Sequence, residues 1–429
     1  DELKRRGYDP DIGYPLPLAD LKIKMPVSRG FRHYRRELDM ETGEVFVRWH
    51  DHGVDYQRKL FVSRADDIVL MECDASGGDL QASFTMELHD PLDARTLKHG
   101  EAPLPQAVEV HVEGNEYICY AALNDDGHDF GAVARVVSAS GELTADSGSI
   151  HATGGNKVLV AIKVFTHESR QSAWSRLQVE LDALEMDYDK LLVPHAEIHG
   201  EMFRRVEVDL GATESEHEAC NEELLLDAYD GEASKALIEK LWSYGRYLLI
   251  SSSREGGQPC HLYGNWCGEY RGYWAFNMAN ENLQMIYWQA LSGSLREMML
   301  PVFDYFDRMM DDFHENARKL YGCRGIYIPA VTTPPSGLLK TVRPHIIHWT
   351  GAAAWIAHHY FDYFLFTGDR DFLRDRALPF LREAALFYED FFTIGEDGYY
   401  VSSPSNSPEN TPGNCYDGHG MGAAMETTI

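Results

Sequence analysis

Paired side-chain amides and large aromatic rings come together in the segment "NMANENLQMIYW" at residues 277–288. Asn280 and Asn282 lie two residues apart, directly before an amphipathic run that ends in Tyr287 and Trp288. Amides are directional donors and acceptors, and a flat ring offers its face to C–H groups. This combination of side chains is typical of a site that binds a sugar.

Three long segments between the predicted helices, at 254–276, 323–347 and 393–420, carry more of the same chemistry. A sugar stacks its C–H face on aromatic rings, while its hydroxyls need directional donors and acceptors. Loops of this length inside a compact domain are usually functional. In and beside these segments, the candidate residues are Trp266, Tyr270, Tyr273, Trp274, Asn277, Asn280, Asn282, His345, His348, Trp349, Glu409 and Asn410.

The aromatic candidates divide into two groups. Tyr287 and Trp288 continue the apolar face of a predicted helix, so a place in the core explains them at least as well as a binding role. Trp266 and Trp274 flank the irregular, glycine-bearing segment "NWCGEYRGYW" and are the better candidates for a binding wall.

Glu409 is the single carboxylate in "VSSPSNSPENTPGN", residues 401–414, which contains three prolines. Proline fixes φ and limits the movement of a loop, so Glu409 is held more firmly than a glutamate in a flexible turn. Firm placement suits a general acid. By composition alone, however, a solvated loop glutamate is the better interpretation.

A metal enzyme that uses His345, His348, His358 and His359 is a weaker alternative. These histidines have no H-E-x-x-H pattern and no accompanying carboxylate ligand. Core or sugar-contact roles explain them better, so the sequence predicts no metal and no cofactor.

A β-sandwich is predicted for residues 1–166, because the dominant period from residue 44 to about 166 is two. One example is "KVLVAIKVFT", residues 157–166, in which Val158, Val160, Ile162 and Val164 would share one face. Turn signals such as "NDDG", residues 124–127, separate the predicted strands.

From residue 167 the period changes towards 3.6, with Trp174, Leu177, Leu181 and Leu184 on one face. We therefore predict a helical linker at 167–233 and a helical domain at 234–429. The predicted helices of that domain cover 234–253, 282–293, 294–322, 350–368 and 370–392. Gly368 as a helix stop and Asp369 as the next N-cap predict a helical hairpin. Successive hairpins around one axis would form an α/α barrel.

Composition limits the partners of the chain. It carries 68 acidic and 39 basic residues, a net charge of −29 spread along its length, which disfavours nucleic acid and anionic membranes. The seven cysteines are scattered without a C-x-x-C pair and are predicted to be free and mostly buried. Free cysteines favour the cytoplasm, although a start at Asp1 leaves open a secreted or periplasmic chain whose leader has been removed.

The order and content of several motifs resemble glycoside hydrolase family 95, a family of α-L-fucosidases. The motifs that carry the resemblance are "PLADLKIKM", "YRRELDMETGEVFVRW", "YGRYLLISSSREG", "NENLQMIYW", "YGCRGIYI", "FLFTGDRDFLRDRALPFLREAALFYEDF" and "SPSNSPEN". The resemblance implies an N-terminal β-sandwich, a helical linker and an (α/α)6 barrel. It also implies an aspartate beyond residue 429, so the barrel is expected to lack its C-terminal part in this chain.

Carried over by motif, the resemblance gives Asn280 and Asn282 the role of positioning the attacking water and Glu409 that of protonating the leaving oxygen. The missing aspartate would activate the amide, since a neutral amide scarcely accepts a proton. The implied mechanism is inversion, with roughly 6.5–9.5 Å between the catalytic groups. The predicted substrate-binding residues are Trp266, Trp274, Gln284, His345, His348, Trp349 and Asn410.

The implied substrate is a terminal α-L-fucosyl residue, or the related L-galactosyl residue, of an oligosaccharide or glycan. Gln284 and the segment before the asparagine pair are interpreted as departures from the family pattern, so the C5 substituent of the sugar stays open. The alternatives are a β-L-arabinopyranosidase of the same family and a carbohydrate-binding relative without turnover. The sequence predicts no oligomeric state.

Overall fold

The computed structural model describes residues 15–27, 30–90, 104–270, 272, 274–333, 336–339 and 347–405. Contacts group the chain into two units, one formed mainly by Leu16–Tyr247 and the other mainly by the chain from Leu248 onward. The first unit contains the predicted sandwich segment from Leu16 onward and the predicted linker segment. The domain boundaries at residues 166 and 233 stay a prediction.

The first unit is built on two antiparallel sheets. Its strands are β1 Asp20–Lys24, β2 Arg32–Asp39, β3 Glu44–Asp51, β4 Val54–Val62, β5 Val69–Ser76, β6 Leu80–Glu87, β7 Gln106–Glu113, β8 Tyr117–Leu123, β9 Asp129–Ser138, β10 Glu142–Ala145, β11 Ser149–Gly155 and β12 Lys157–Thr166. One sheet has the order β1-β6-β11-β10 and the other β2-β3-β4-β5-β12-β9-β8-β7. The predicted β-sandwich is confirmed.

Strand β12 shows how the sandwich core is made. Val158 and Val160 are buried in the cluster that both sheets share, and Ile162 packs against that cluster. Val164, predicted to share this face, is 53% exposed. The pairing of β12 with β5 ends at Ile162, so Val164 has only β9 beside it.

The opposite face of the larger sheet is covered by helices. Helices α1, Arg170–Asp182, and α2, Tyr188–Arg204, contribute side chains to a second core cluster with that sheet. Leu177 and Leu181 are buried there, so the helical face read from the sequence is confirmed. The linker is interrupted at residues 183–187, where the Asp187 side chain accepts from the Lys190 N–H and begins α2.

Two shorter helices and the start of a long one complete the first unit, and further helices form the second. They are α3 Glu214–Glu218, α4 Asn221–Asp230, α5 Lys235–Ser252, α6 Asn282–Ser292, α7 Leu300–Arg308, α8 Met310–Asn316, α9 Ala352–Thr367, α10 Arg370–Phe372 and α11 Leu378–Phe391. The predicted architecture of a sandwich followed by a helical region is therefore confirmed.

The prediction of one helix over 294–322 is wrong. A 3₁₀ turn at Arg296–Met299 leads into α7, whose first turn contains Pro301. Met309 leaves the helical conformation between α7 and α8, and a π turn at Ala317–Tyr321 follows. Proline is favoured in a first helical turn because it has no N–H to leave unpaired, so Pro301 marks a new start.

The hairpin between α9 and α11 agrees with the sequence. Gly368 ends α9 with a φ of 68°, and its N–H donates to the Phe364 carbonyl at 2.7 Å. The Asp369 carboxylate accepts from the N–H groups of Asp371 and Phe372, so both predicted caps are confirmed. A π turn at Leu373–Ala377 precedes Pro379, whose ring disfavours a regular α-helical turn before it.

Six cysteines lie in the described part of the chain and, as predicted, none of these six forms a disulfide. Four are buried, Cys267 is partly buried and Cys220 is exposed. Among the described helices, none combines the length and the apolar character that crossing a membrane requires.

Candidate functional site

The asparagine pair lies at a junction fixed by two very short strands. β13, Asn277–Met278, pairs with β14, Val331–Thr332, in antiparallel register. The Ala279 N–H then donates to the Ala330 carbonyl at 2.6 Å, which extends this pairing by one residue. Two segments distant in sequence thus hold the turn that carries Asn280, and Asn282 begins α6 directly after it.

Asn280 is buried and keeps an unpaired polar atom. Its side chain is 6% exposed, and its Oδ1 atom has no hydrogen-bond partner among the described residues. The Oδ1 atom of Asn277 is likewise buried and has no hydrogen-bond partner among the described residues. The Asn282 side chain is partly exposed. A buried acceptor without a partner costs about 1–3 kcal/mol, so such an atom requires an explanation, and a bound water or ligand is one.

Gln284 holds the same turn from inside α6. Its side chain is fully buried, and its Nε2 atom donates to the Ala279 carbonyl at 2.5 Å. That bond satisfies the carbonyl directly before Asn280. The Oε1 atom of Gln284 has no partner within the described chain.

Tyr287 and Trp288 have different environments. The Tyr287 hydroxyl accepts from the Cys260 N–H and lies 2.7 Å from the Ser253 hydroxyl, and burial raises its pKa. It therefore fixes the segment after α5 in the core, as the structural interpretation expects. Trp288 is 57% exposed, so the prediction that it continues the buried face is wrong. The buried positions of α6 are 283, 284, 287 and 290, so position 288 lies at the edge of the buried face, where its ring reaches solvent.

The candidate wall residues are also placed differently from one another. Trp274, with a φ of 72°, packs beside Phe276 in a small cluster with Met278 and Val331, next to the β13–β14 pair. Trp266 is 50% exposed and its ring lies against Gly264.

Tyr270, by contrast, is buried in the first unit, where its hydroxyl donates to the His89 carbonyl at 3.3 Å. The ring and the hydroxyl of Tyr270 are therefore both packed within the first unit.

A second group of candidates is anchored by tyrosines. The hydroxyls of Tyr321 and Tyr327 both donate to the Ile347 carbonyl, at 2.6 and 2.7 Å. The Tyr388 hydroxyl donates to the Thr350 carbonyl at 2.7 Å. The two residues between these anchors are His348 and Trp349. Their backbone is therefore held at both ends, which restricts the positions that the two side chains can take.

Trp349 is fully buried and its Nε1 atom has no partner in the part of the chain that the structure describes. The Nδ1 atom of His348 lies 3.3 Å from the Tyr321 hydroxyl, and this side chain is partly exposed. His358 is exposed, while His359 is buried, and burial lowers the pKa of His359 to about 4. These two neighbouring imidazoles therefore lie in different environments, and a metal role for the histidines stays a hypothesis.

Glu409, Asn410 and His345 lie outside the described residues. The described chain ends just before Glu409, and Ser402 and Ser405 near that end are buried. The start of the proline-bounded segment is thus packed against the protein. The role predicted for Glu409 stays a prediction.

Sequence reasoning missed the tyrosines that position the site. Tyr305 donates to the Thr332 hydroxyl at 2.9 Å and so supports β14, but in the sequence it is one more aromatic residue on a helix. The hydrophobic pattern predicts that the rings of Tyr321, Tyr327 and Tyr388 pack in the core. It does not predict that their hydroxyls donate to the carbonyls of Ile347 and Thr350.

Across most of its length the chain is 28% identical to "Alpha-L-fucosidase 2" of Arabidopsis thaliana, over 88% of this chain and 48% of that protein. It is 26% identical to "Probable alpha-fucosidase A" of Aspergillus niger, over 95% of this chain and 53% of that protein. The chain therefore spans about half the length of these relatives.

The fold has a solved counterpart. The structure titled "Putative kojibiose phosphorylase from human microbiome" superposes with a TM-score of 0.64 at 10% identity, over 91% of this chain and 52% of that one. This likeness supports the shared architecture of a sandwich followed by a helical region.

Sequence profiles of known domains cover both parts of the chain. The N-terminal domain of glycosyl hydrolase family 65 matches residues 3–170, which include the whole sandwich. The catalytic domain of glycosyl hydrolase family 95 matches residues 187–429, more than half of the chain, including both asparagines and Glu409. The chain belongs to glycosyl hydrolase family 95.

Proposed function

We propose that this chain is part of an inverting glycoside hydrolase that removes a terminal α-L-fucosyl residue, or the closely related L-galactosyl residue, from oligosaccharides or glycans. Membership of family 95 supports hydrolysis of a glycosidic bond. The names of the two relatives support fucose as the sugar.

In the proposed mechanism, the side chains of Asn280 and Asn282 hold a water molecule at the anomeric carbon. Glu409 donates its proton to the glycosidic oxygen as the bond to the leaving group breaks. The water attacks from the opposite face and loses a proton to a carboxylate behind the amides, since a neutral amide scarcely accepts one. Attack opposite to the departing group inverts the anomeric configuration.

One observation carries this proposal most strongly: the buried Oδ1 atom of Asn280, which has no partner among the described residues. A water that donates to this atom would satisfy it and would also be oriented for attack. The β13–β14 pair and Gln284 hold the turn from both sides. Preorganisation of this kind lowers the entropy lost when a reacting water is positioned.

The remaining candidates are assigned to the sugar pocket. Trp266 and Trp274 offer ring faces, and His348 and Trp349 offer ring N–H groups on a backbone held by tyrosines. His345 and Asn410 are assigned from the family resemblance. Gln284 is fully buried, so we assign it to the turn that presents Asn280.

The test is the variant Glu409→Gln in the full-length protein, assayed on a natural fucosylated oligosaccharide. Glutamine keeps the shape of the side chain but has no proton to donate, so hydrolysis is expected to fall by at least about 10³-fold while binding of the oligosaccharide is retained. Glu396→Gln is the matched control and should keep full activity, because Glu396 is an exposed glutamate in the turn between the short paired strands Thr393–Ile394 and Tyr400–Val401. Unchanged turnover by the Glu409 variant would refute the assignment.

A substrate panel separates the related sugars. Fucose, L-galactose and L-arabinopyranose differ only in the C5 substituent, which is worth about 1–3 kcal/mol in an apolar pocket. The aryl α-L-fucoside, α-L-galactoside and β-L-arabinopyranoside should be compared with a fucosylated oligosaccharide, because inverting enzymes can ignore aryl substrates. Oligosaccharide binding without hydrolysis of any member would identify a non-catalytic relative.

A further inference from the structure

A cluster of two imidazoles and one carboxylate lies on the sandwich unit. Asp126 and His128 belong to the turn between β8 and β9, and His167 directly follows β12. These strands are brought together because β12 pairs with β9 along its length. The backbone N–H of His167 donates to the Asp129 carbonyl at 3.0 Å, which places residue 167 beside residue 128.

The carboxylate lies between the two rings. The Nδ1 atom of His128 is 3.4 Å from one oxygen of Asp126, and the Nε2 atom of His167 is 3.5 Å from the other. The ring centroids of the two histidines are 5.1 Å apart. One ligand atom from each residue can be chosen so that all three lie within 4.8 Å of one another.

Hydrogen bonds between Arg170 and Asp129 fix the backbone next to the cluster. The Arg170 guanidinium donates to both carboxylate oxygens of Asp129, at 2.7 and 3.1 Å, and the Arg170 N–H donates to the same group. Asp129 is thus occupied and does not compete as a ligand. Both recorded ion pairs of Asp126 in the described chain are with the two histidines, so no lysine or arginine neutralises it there.

We propose that Asp126, His128 and His167 form a zinc site that links the β8–β9 turn to the junction of β12 with α1. Imidazole nitrogen with one carboxylate oxygen is a donor set that suits zinc and its late first-row neighbours, whereas calcium and magnesium prefer oxygen alone. Bonds of about 2.0–2.1 Å place tetrahedral ligands roughly 3.3–3.4 Å apart. The two nitrogen–oxygen separations are of this size but reach different oxygens of Asp126, and the three ligand atoms lie within 4.8 Å of one another, so side-chain movements must draw them together around the ion. All three side chains are exposed, so water completes the coordination.

The proposal is tested by titrating zinc into the tag-free protein after treatment with a chelator and by following the heat of binding. Wild type should show one tight site above the weak background expected from an acidic chain with 19 histidines. His128→Ala and His167→Asn should each weaken this site at least tenfold; asparagine is chosen because it tolerates the φ of 59° at position 167.

His151→Ala is the matched control. His151 is an exposed histidine that also pairs with one aspartate, Asp146, at 3.0 Å, but among the residues that the structure describes no third ligand accompanies that pair. This variant should bind zinc as wild type does. Equal zinc affinity in wild type, His128→Ala and His167→Asn would overturn the proposal, as would wild type without a tight site.

Two further measurements separate loss of the site from loss of the fold. The zinc-free variants should melt at the temperature of zinc-free wild type, and zinc should raise the melting temperature of wild type and of His151→Ala only. Cobalt should give wild type a visible absorption spectrum that both site variants lack, and calcium should give no shift in melting temperature. A zinc-induced rise of equal size in His167→Asn would contradict the assignment.

Discussion

At the residue scale, the site is marked by buried polar atoms that the described chain leaves without partners. Asn277, Asn280 and Gln284 each keep such an oxygen within eight consecutive residues. The sequence could predict the importance of the asparagine pair, because two amides before an apolar run are conspicuous. It could not predict burial or the bond from Gln284 to Ala279, since both depend on β14, which is about fifty residues away in the chain.

Asn280 and Asn316 form a matched pair for a stability test. Both are buried, but the Asn316 side chain donates to the Gly337 carbonyl at 2.8 Å and accepts from the Leu339 N–H at 3.1 Å. Asn316→Ala should lower the free energy of unfolding by about 2–3 kcal/mol, because buried partners lose their bonds. Asn280→Ala should cost less than about 1 kcal/mol and abolish hydrolysis. Urea unfolding measures both, and an equal cost for the two variants would contradict the interpretation.

His199 predicts an acid-sensitive contact in the first unit. It is buried and donates to the Met40 carbonyl at 3.0 Å, and burial lowers its pKa from 6.5 to about 4. The unfolded chain therefore takes up a proton more readily, so this contribution is fully present above pH 6.5 and is lost as the pH falls towards 4. The loss of stability is at most about 3.5 kcal/mol.

The variant His199→Gln checks this prediction, because glutamine can donate to the same carbonyl without titrating. The melting temperature of wild type should fall more between pH 7.5 and 5 than that of the variant. Parallel curves for the two proteins would show that His199 is not responsible for the acid sensitivity.

At the element scale, local signals were predictive and non-local ones were not. Gly368 and Asp369 act through their own backbone neighbours, so their caps could be read from the sequence. Strands β13 and β14 contain two residues each and show no periodicity. The change of conformation at Met309 likewise has no sequence signal, because methionine is a good helix former.

Gly325 and Gly368 provide an element-scale test. Both have a φ of 68°, but a Cβ at Gly325 would lie 2.2 Å from the Glu383 carbonyl oxygen and 2.5 Å from the Phe387 nitrogen, whereas nothing lies near Gly368. Gly368→Ala should cost about 1–2 kcal/mol for the left-handed backbone alone. Gly325→Ala should cost roughly 1–3 kcal/mol more, because the loop must move away from α11.

Thermal or urea unfolding of the two glycine variants measures this difference directly. Because the backbone angle is shared, the difference isolates the close approach between the loop and α11. Equal costs would mean that the loop moves aside freely.

At the scale of the whole molecule, the hydrophobic periods of the sequence predicted a sandwich followed by helices but not the order of the strands. In the larger sheet β5 pairs with β12, although about ninety residues separate the paired positions in the sequence, and nothing in the period of two selects that partner. The prediction of a sandwich needed only alternation, whereas the strand order depends on packing of the complete unit. The helical caps and the family motifs predicted the helical region that follows the sandwich.

The net charge of −29 predicts how hydrolysis depends on the salt concentration. A neutral oligosaccharide gains nothing from the field of the protein, so kcat/KM should change less than about twofold between low and high salt. A sulfated oligosaccharide of the same sugar should be hydrolysed several-fold faster at high salt, because screening reduces repulsion. Steady-state rates at two salt concentrations measure both, and a sulfated substrate that is slowed by salt would contradict this interpretation.

The most direct test of the proposed chemistry is ¹H NMR of the first sugar released from a natural α-L-fucosylated oligosaccharide by the full-length protein. Attack by a water held at Asn280 and Asn282, opposite to a leaving oxygen protonated by Glu409, predicts that the β anomer of fucose accumulates before mutarotation. The α anomer as the first product would contradict the account, because it would require a second displacement at the anomeric carbon.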